Sequence, residues 1–175
     1  GSYFADNVAL IHTRLSIIDL DGGAQPLFNQ AASLSLVANG EIYNYVELLE
    51  EYRAKGRQLS SHSDCEAIIQ GYAESGVASV EALHGMFAFA LYDQQQQRLV
   101  LARDRLGIKP LYFASVDGAF YFASEIKALL AILPKQPSIR DQAVAEFLQN
   151  QFSTGRDTVF EGIHRILPGE YAVLC

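Results

Sequence analysis

Five residues among the first 64 have the chemistry of an amino-acid site: Arg14, Asn39, Gly40, Glu41 and Asp64. The planar guanidinium of Arg14 suits a carboxylate, to which it can donate two parallel hydrogen bonds. Asp64 can hold an ammonium group, and the Asn39 amide together with the Gly40 N–H can stabilise an oxyanion. In combination, these groups predict a pocket for an α-amino acid that is attacked at a carbonyl group of its side chain.

Each residue taken alone has a simpler explanation. Asn-Gly is the strongest short signal for a hairpin turn, and Arg14 can be an ordinary surface charge. Asp64 can be a helix-start residue that the helix dipole favours. The prediction of an amino-acid site therefore rests on the combination.

The elements around these residues predict how they are placed. The apolar run 34–38 indicates a strand, and the Asn-Gly pair that follows predicts a sharp turn. Such a turn ends the strand and leaves the Asn39 amide and the Gly40 N–H unpaired by the ladder. A helical pattern comes next, and a second helix is predicted from Ser63, whose Ser-x-x-Glu pattern indicates a capping box with Asp64 in the first turn.

The composition is typical of one globular domain spanning residues 1–175. Half of the residues are hydrophobic, 19% are charged and the net charge is −7. An acidic protein with a pI near 5.0 is poorly suited to nucleic acid or an anionic membrane, and no apolar run is long enough to cross a bilayer. Cys65 and Cys175 are far apart and show no metal-ligand spacing, which favours a cytoplasmic location and no metal site.

The remaining patterns alternate hairpins with blocks of helix. The run 86–93, which is apolar up to its last residue, Asp93, predicts a strand buried on both faces, with a return strand over 98–103. A second hairpin is predicted across Asp117-Gly118, and helices over 124–132 and 138–149. Antiparallel hairpins with helices gathered between them predict an α+β layered fold.

Six segments carry a resemblance to a known family, and they occur in order along the sequence. They are HTRLSIID (12–19), NGEIYN (39–44), SDCE (63–66), GMFAFA (85–90), ARDRLGIKPLY (102–112) and ASEIKAL (123–129). By these segments the sequence resembles the glutaminase domain of glutamine-hydrolysing asparagine synthetase and its relatives, the class II glutamine amidotransferases. The resemblance covers nearly the whole sequence.

The resemblance implies an N-terminal-nucleophile hydrolase fold, a four-layer α/β/β/α sandwich of antiparallel sheets, truncated here at its first strand. The implied activity is hydrolysis of glutamine to glutamate and ammonia, with no cofactor in this domain. ATP and Mg²⁺ are expected only in a C-terminal synthetase domain, the expected partner, whose pyrophosphate loop this sequence lacks.

By motif position, the resemblance also assigns roles to the residues of the site. Arg14 is expected to bind the α-carboxylate of glutamine, and Asp64 the α-ammonium with Glu41 close by. Asn39 and Gly40 are expected to form the oxyanion hole. The backbone of four consecutive residues is expected to line the pocket: Leu15, Ser16, Ile17 and Ile18.

The nucleophile of that family is a cysteine at the mature N-terminus, whose own α-amine acts as general base. This sequence begins Gly-Ser-Tyr, and neither Cys65 nor Cys175 is suited to replace the missing thiol. We therefore expect the 175-residue protein to be inactive by itself and to come from a larger amidotransferase. We also expect it to self-associate, because loss of the opening strand leaves backbone groups of a neighbouring strand unpaired.

Two alternatives stay open. The same domain can serve another ammonia acceptor, such as a sugar or an antibiotic precursor, because the acceptor is chosen by the synthetase half. From a different class, the protein can be a non-catalytic glutamine-binding or assembly module derived from such a domain.

Overall fold

The computed structural model describes residues 1–5, 7–13 and 24–175. The strands in these ranges are β1 (Ser2–Phe4), β2 (Ala9–Ile11), β3 (Leu27–Phe28), β4 (Leu34–Ile42), β5 (Gly85–Asp93), β6 (Arg98–Arg103), β7 (Tyr112–Val116), β8 (Ala119–Ala123), β9 (Ile163–Arg165) and β10 (Tyr171–Leu174). The α-helices are α1 (Tyr45–Ala54), α2 (Glu66–Ser75), α3 (Ile126–Ile132) and α4 (Asp141–Asn150), and a 3-10 helix covers Gly76–Ala82.

The described strands pair antiparallel throughout. A five-stranded sheet has the order β10-β6-β5-β4-β3, a three-stranded sheet has the order β8-β7-β9, and β1 pairs with β2. β5 is the central strand of the larger sheet, and the prediction that it is buried on both faces is confirmed. Phe89 on one face is 3% exposed and Ala90 on the other is 2% exposed.

Three apolar clusters separate four layers. The first lies between the five-stranded sheet and the helices α1 and α2, and includes Leu36 and Ile69. The second lies between the two larger sheets, where Phe113 packs against a cluster that contains Leu101. The third joins the three-stranded sheet to α3 through Leu129. This order is the predicted α+β sandwich with α/β/β/α layers.

The predicted turn at Asn39-Gly40 is wrong. β4 continues through both residues to Ile42, with Asn39 opposite Ala88 and Gly40 opposite Phe87 in an uninterrupted register. The local preference of Asn-Gly for a turn is overridden because β5 supplies a pairing partner for every residue of β4. Gly40 follows the strand with a φ of +146°, a value that residues with a side chain rarely adopt.

The predicted capping box is also wrong. α2 begins at Glu66, and the side chain of its N-cap residue, Cys65, makes no capping hydrogen bond. The Ser63 hydroxyl accepts from the Cys65 N–H at 3.3 Å, whereas the Glu66 N–H donates to the Ser63 C=O at 3.0 Å. The Glu66 carboxylate is buried and accepts hydrogen bonds from the Ser60 N–H at 3.0 Å and the Gln70 amide at 2.9 Å. Asp64 consequently lies in the turn before α2, not in its first turn.

Candidate functional site

The direction of the Gly40 N–H follows from the hydrogen bonds of its partner strand. In an antiparallel ladder, both backbone groups of a residue point to one neighbouring strand, and those of the next residue point to the other. The Phe87 N–H donates to Asp104 Oδ2 at 3.2 Å, and the Phe87 C=O accepts from the Asp104 N–H at 2.8 Å. Phe87 thus turns its backbone groups away from β4, so the pair with Gly40 is not hydrogen-bonded. Gly40 directs its N–H to the opposite edge of β4, as Ala38 and Ile42 do.

The positions on either side of Gly40 along this edge are occupied by side chains. The Ala38 N–H donates to Gln25 Oε1 at 2.6 Å, and the Ala38 C=O accepts from Gln25 Nε2 at 2.9 Å. The Ile42 N–H donates to Asp64 Oδ2 at 2.8 Å. Gly40 lies between them, about 7 Å from each along the strand. In the part of the protein that the structure describes, its N–H is the open donor of this edge.

Only glycine fits at position 40. A Cβ built there lies 2.0 Å from Met86 O and 2.7 Å from Phe87 Cα, which are backbone atoms of β5. With this positive φ, the Cβ of any other residue at position 40 would point into the backbone of β5. The close contact between β4 and β5 at this point therefore requires glycine. The glycine of the Asn-Gly pair therefore serves a strand and not a turn.

Asn39 and Glu41 project from β4 on a different side from the Gly40 N–H. Side chains alternate across a strand, and Val37, two residues before Asn39, belongs to the cluster between the sheets. Asn39 and Glu41 are both partly buried on that face. The structure thus brings Asn39, Gly40 and Glu41 to one end of β4, with the two side chains on the face and the Gly40 donor on the edge.

Asp64 joins the same end of β4. It is 5% exposed, and besides the bond from the Ile42 N–H it has a long contact of 3.4 Å from Ser63 Oγ to its Oδ1. A carboxylate offers about four lone-pair sites, so Asp64 keeps capacity for a further donor such as an ammonium group. Asp64 therefore lies beside Ile42, two residues beyond Gly40 along β4, and its binding of an ammonium group with Glu41 close by stays a prediction.

Arg14, Leu15, Ser16, Ile17 and Ile18 lie outside the described residues. Their assignment to the α-carboxylate and to the lining of the pocket stays a prediction.

Asp104 is a supporting residue that sequence reasoning missed. Its fully buried carboxylate accepts backbone N–H bonds at 2.9 to 3.2 Å from four residues: Phe87, Leu106, Ile108 and Lys109. Burial alone raises the pKa of Asp104, but the N–H groups of Lys109, Ile108, Phe87 and Leu106 outweigh it and lower that pKa below its ordinary value. The ionised carboxylate thus fastens the loop after β6 to the residue opposite Gly40. Asp104 lies within the ARDRLGIKPLY segment, but nothing in the spacing of that segment indicates this contact.

Within residues 1–5, 7–13 and 24–175, no group of three or more His, Cys, Asp or Glu side chains is arranged to hold a metal ion. In the same ranges, no helix combines the length and the apolar character that crossing a membrane requires. The chemistry that the described site offers is therefore hydrogen bonding and charge: one open N–H, one carboxamide and two carboxylates.

The chain is similar in sequence to known glutamine amidotransferase domains. The model of the glutamine amidotransferase domain family matches residues 1–175. Asparagine synthetase B [glutamine-hydrolyzing] of Escherichia coli is 47% identical over 133 residues, which cover 75% of this chain and 24% of that protein. Asparagine synthetase [glutamine-hydrolyzing] 1 of Bacillus subtilis is 36% identical over 169 residues, covering 97% and 27%. Amidase chyE of Penicillium rubens is 40% identical over 167 residues, covering 95% and 24%.

The chain thus spans about a quarter of the length of the curated relatives it matches. Among solved structures, the glutamine phosphoribosylpyrophosphate amidotransferase of B. subtilis, complexed with ADP and GMP, has a TM-score of 0.52 and 27% identity over 60% of this chain and 25% of that protein. The allosteric regulatory enzyme of purine biosynthesis has a TM-score of 0.55 and 25% identity, covering 62% and 25%. Both likenesses agree with the four-layer sandwich.

Proposed function

The chain belongs to the glutamine amidotransferase domain family, and from that membership we propose that its β4 end binds glutamine for hydrolysis to glutamate and ammonia. In this reaction the C–N bond of the substrate carboxamide breaks, water supplies the new carboxylate oxygen, and the nitrogen leaves as ammonia. The observation that carries the proposal is the Gly40 N–H, which has no acceptor among the described residues and lies between two occupied positions of a sheet edge. A donor placed in this way suits an oxyanion better than it suits a structural partner.

The remaining roles follow from the groups around that donor. The oxyanion of the tetrahedral intermediate accepts from the Gly40 N–H and from the Asn39 amide. Asp64, whose carboxylate has acceptor capacity left, receives the α-ammonium group, with Glu41 on the neighbouring face. Arg14 and the backbone of residues 15–18 hold the α-carboxylate.

These groups bind the substrate and stabilise charge, and a nucleophile completes the reaction. In class II amidotransferases, which this chain resembles, the nucleophile is an N-terminal cysteine, and we assign that role to neither Cys65 nor Cys175. We propose that residues 1–175 alone bind glutamine without hydrolysing it.

For the natural protein, we propose that the ammonia passes to an ATP- and Mg²⁺-dependent synthetase domain, while the glutaminase domain itself needs no cofactor. The support is that similar proteins include glutamine-hydrolysing asparagine synthetases about four times as long as the matched region. A relative that is 40% identical to this chain is named as an amidase. The proposal therefore includes ammonia acceptors other than the one used by asparagine synthetases. The acidic, cysteine-poor composition supports a cytoplasmic location without a nucleic-acid partner.

The test compares two buried aspartates. Asp64 and Asp93 are each 5% exposed, and they lie at opposite ends of the β4–β5 ladder, where Asp93 pairs with Leu34. Glutamine binding to residues 1–175 is measured by calorimetry, and glutamate release is measured with the natural full-length protein. We expect Asp64→Asn to weaken glutamine binding about 10- to 100-fold, the usual size of a charge-assisted hydrogen bond. Asp93→Asn should change it by no more than about twofold.

Equal effects of the two substitutions would remove Asp64 from the site. Failure of the unmodified protein to bind glutamine would contradict the binding site as a whole. Binding together with no glutamate release from the full-length protein would favour the non-catalytic module over the glutaminase.

A further inference from the structure

The edge of β4 changes its partner residue by residue. Leu27 of β3 pairs with Leu36, so two steps back from Leu27 and two steps forward along β4 bring Gln25 opposite Ala38. At that position the side chain of Gln25, and not its backbone, bonds to the Ala38 N–H and C=O. The register of the sheet is thus continued by a carboxamide for one more pair of hydrogen bonds.

We propose that Gln25 is a positioning residue for the Gly40 donor, because its side chain replaces a neighbouring strand at Ala38 and no described residue pairs with the backbone of Gly40 at the next position. The inference rests on the proposed glutaminase function. A backbone partner at Ala38 would continue the ladder toward Gly40. The carboxamide ends the pairing after a single residue, since it carries only one donor–acceptor pair.

The side chain of Gln25 is suited to replacing a strand at Ala38. A carboxamide presents one N–H donor and one C=O acceptor side by side, as a peptide group does. Gln25 is 8% exposed and Ala38 is 6% exposed, so the backbone groups of Ala38 have little water to turn to when the carboxamide is removed. The two bonds therefore fix the plane of the peptide groups that lead to Gly40.

Asp64 fixes the other side. Its carboxylate holds the Ile42 N–H, so the backbone is tied to side chains two residues before and two residues after Gly40. Without the two hydrogen bonds from Gln25, the peptide groups that precede Gly40 are no longer held in place. A donor displaced by about 1 Å costs up to about 100-fold in rate, because stabilisation of the oxyanion depends on its position.

The test uses Gln25→Ala in the full-length protein, with Gln70→Ala as the matched control. Gln70 is 5% exposed, and its carboxamide also makes two bonds, to Gln58 O at 3.2 Å and Glu66 Oε1 at 2.9 Å, both away from β4. We expect Gln25→Ala to lower kcat for glutamine hydrolysis about 10- to 100-fold. KM should stay within about twofold, since the α-carboxylate and α-ammonium groups bind elsewhere. Gln70→Ala should lower the thermal midpoint and leave kcat unchanged.

A second variant gives a signature that a purely structural role does not produce. Gln25→Glu keeps the shape, but the ionised carboxylate cannot donate to the Ala38 C=O. Once protonated, the introduced carboxyl again offers one donor and one acceptor. We expect kcat of Gln25→Glu, relative to unmodified enzyme at each pH, to recover as the pH falls through the pKa of the introduced carboxyl, which burial raises above the ordinary value of about 4.3 for a glutamate side chain.

Different results overturn different statements. If the unmodified enzyme is active and Gln25→Ala matches Gln70→Ala in kcat, or if the relative kcat of Gln25→Glu does not change with pH, the positioning role is wrong and the glutaminase function stands. If the unmodified full-length protein releases no glutamate, the proposed function fails and the positioning role fails with it.

Discussion

Replacing Gly40 by alanine tests whether β4 runs as a continuous strand through the proposed oxyanion site. The added Cβ would lie 2.0 Å from Met86 O and 2.7 Å from Phe87 Cα. Both atoms belong to the backbone of β5, so no side-chain rotation relieves the contacts. Restoring 3.0 Å to the first contact requires β4 and β5 to move apart by 1.0 Å at this point.

The expected loss of stability has two contributions. Holding alanine at the φ of +146° costs about 1–3 kcal/mol, the usual range for a residue in a sparsely populated backbone region. Overpacking against a fixed backbone costs about 1–3 kcal/mol more. Together they lower the free energy of unfolding by about 2–6 kcal/mol, which corresponds to a fall in the thermal midpoint of about 4–24 °C for a domain of this length.

Two control substitutions separate these contributions. Gly56 has a φ of +82° and no atom within 4 Å of a built Cβ, so Gly56→Ala measures the backbone cost alone. Gly85 lies in the same ladder with a built Cβ 2.2 Å from Glu41 O and no positive φ, so Gly85→Ala measures the contact alone. We expect the loss in Gly40→Ala to approach the sum of the two controls.

The assay is urea unfolding followed by circular dichroism, with glutamate release measured well below the thermal midpoint. A Gly40→Ala protein as stable as Gly56→Ala would refute the continuous strand, because a turn at Asn39-Gly40 has no β5 backbone beside it. Alanine keeps its backbone N–H, so the substitution acts on catalysis by displacing that donor, and a shift of about 1 Å should lower kcat by up to about 100-fold. An intact fold with unchanged kcat would show that the position of the Gly40 donor does not matter for the reaction.

Two further predictions concern the surroundings of the site. Asp104→Asn should destabilise the protein by about 3 kcal/mol at neutral pH, because the new NH₂ group faces backbone N–H donors in place of an acceptor. The lowered pKa of Asp104 means that its contribution is present above the ordinary value of about 3.9 and is lost as the pH falls through the folded-state value. The difference between the two proteins in urea unfolding should therefore shrink in acid, and a constant difference would contradict the role of the charge. Self-association stays a prediction, and a monomer by light scattering at high concentration would contradict it.

The sequence predicts this fold well where short-range pattern and long-range pairing agree. The run 86–92 is apolar at every position, which suits a strand covered on both faces, so the burial of β5 could be predicted from composition alone. The hairpin at Asp117-Gly118 has positive φ at both residues, as the Asp-Gly signal requires. In both cases the local preference and the tertiary environment require the same conformation.

The prediction at Asn39-Gly40 fails because the same two residue types satisfy two different requirements. In a turn, glycine supplies a positive φ for a change of direction, whereas here it supplies a positive φ for close passage of β5. Only the register with a strand that is distant in sequence distinguishes the two. Sequence reasoning misses Gln25 for a related reason, since its importance depends on its place opposite Ala38, which no local pattern encodes.

The availability of the Gly40 N–H depends on the hydrogen bonds that Gln25 and Asp64 make to the neighbouring residues of β4. An N–H left unpaired at a sheet edge costs about 1–3 kcal/mol unless water or a ligand satisfies it, and a free edge tends to recruit another strand. The edge of β4 avoids continuous pairing by ending its partners with side chains, the Gln25 carboxamide on one side and the Asp64 carboxylate on the other. On the β5 side, the Phe87 N–H donates to the Asp104 carboxylate. The backbone groups of Phe87 therefore point away from β4 and do not pair with Gly40. The same contacts that stabilise the sheet therefore keep one donor available for a ligand, so removing one of them should lower both the stability of the sheet and the rate of hydrolysis.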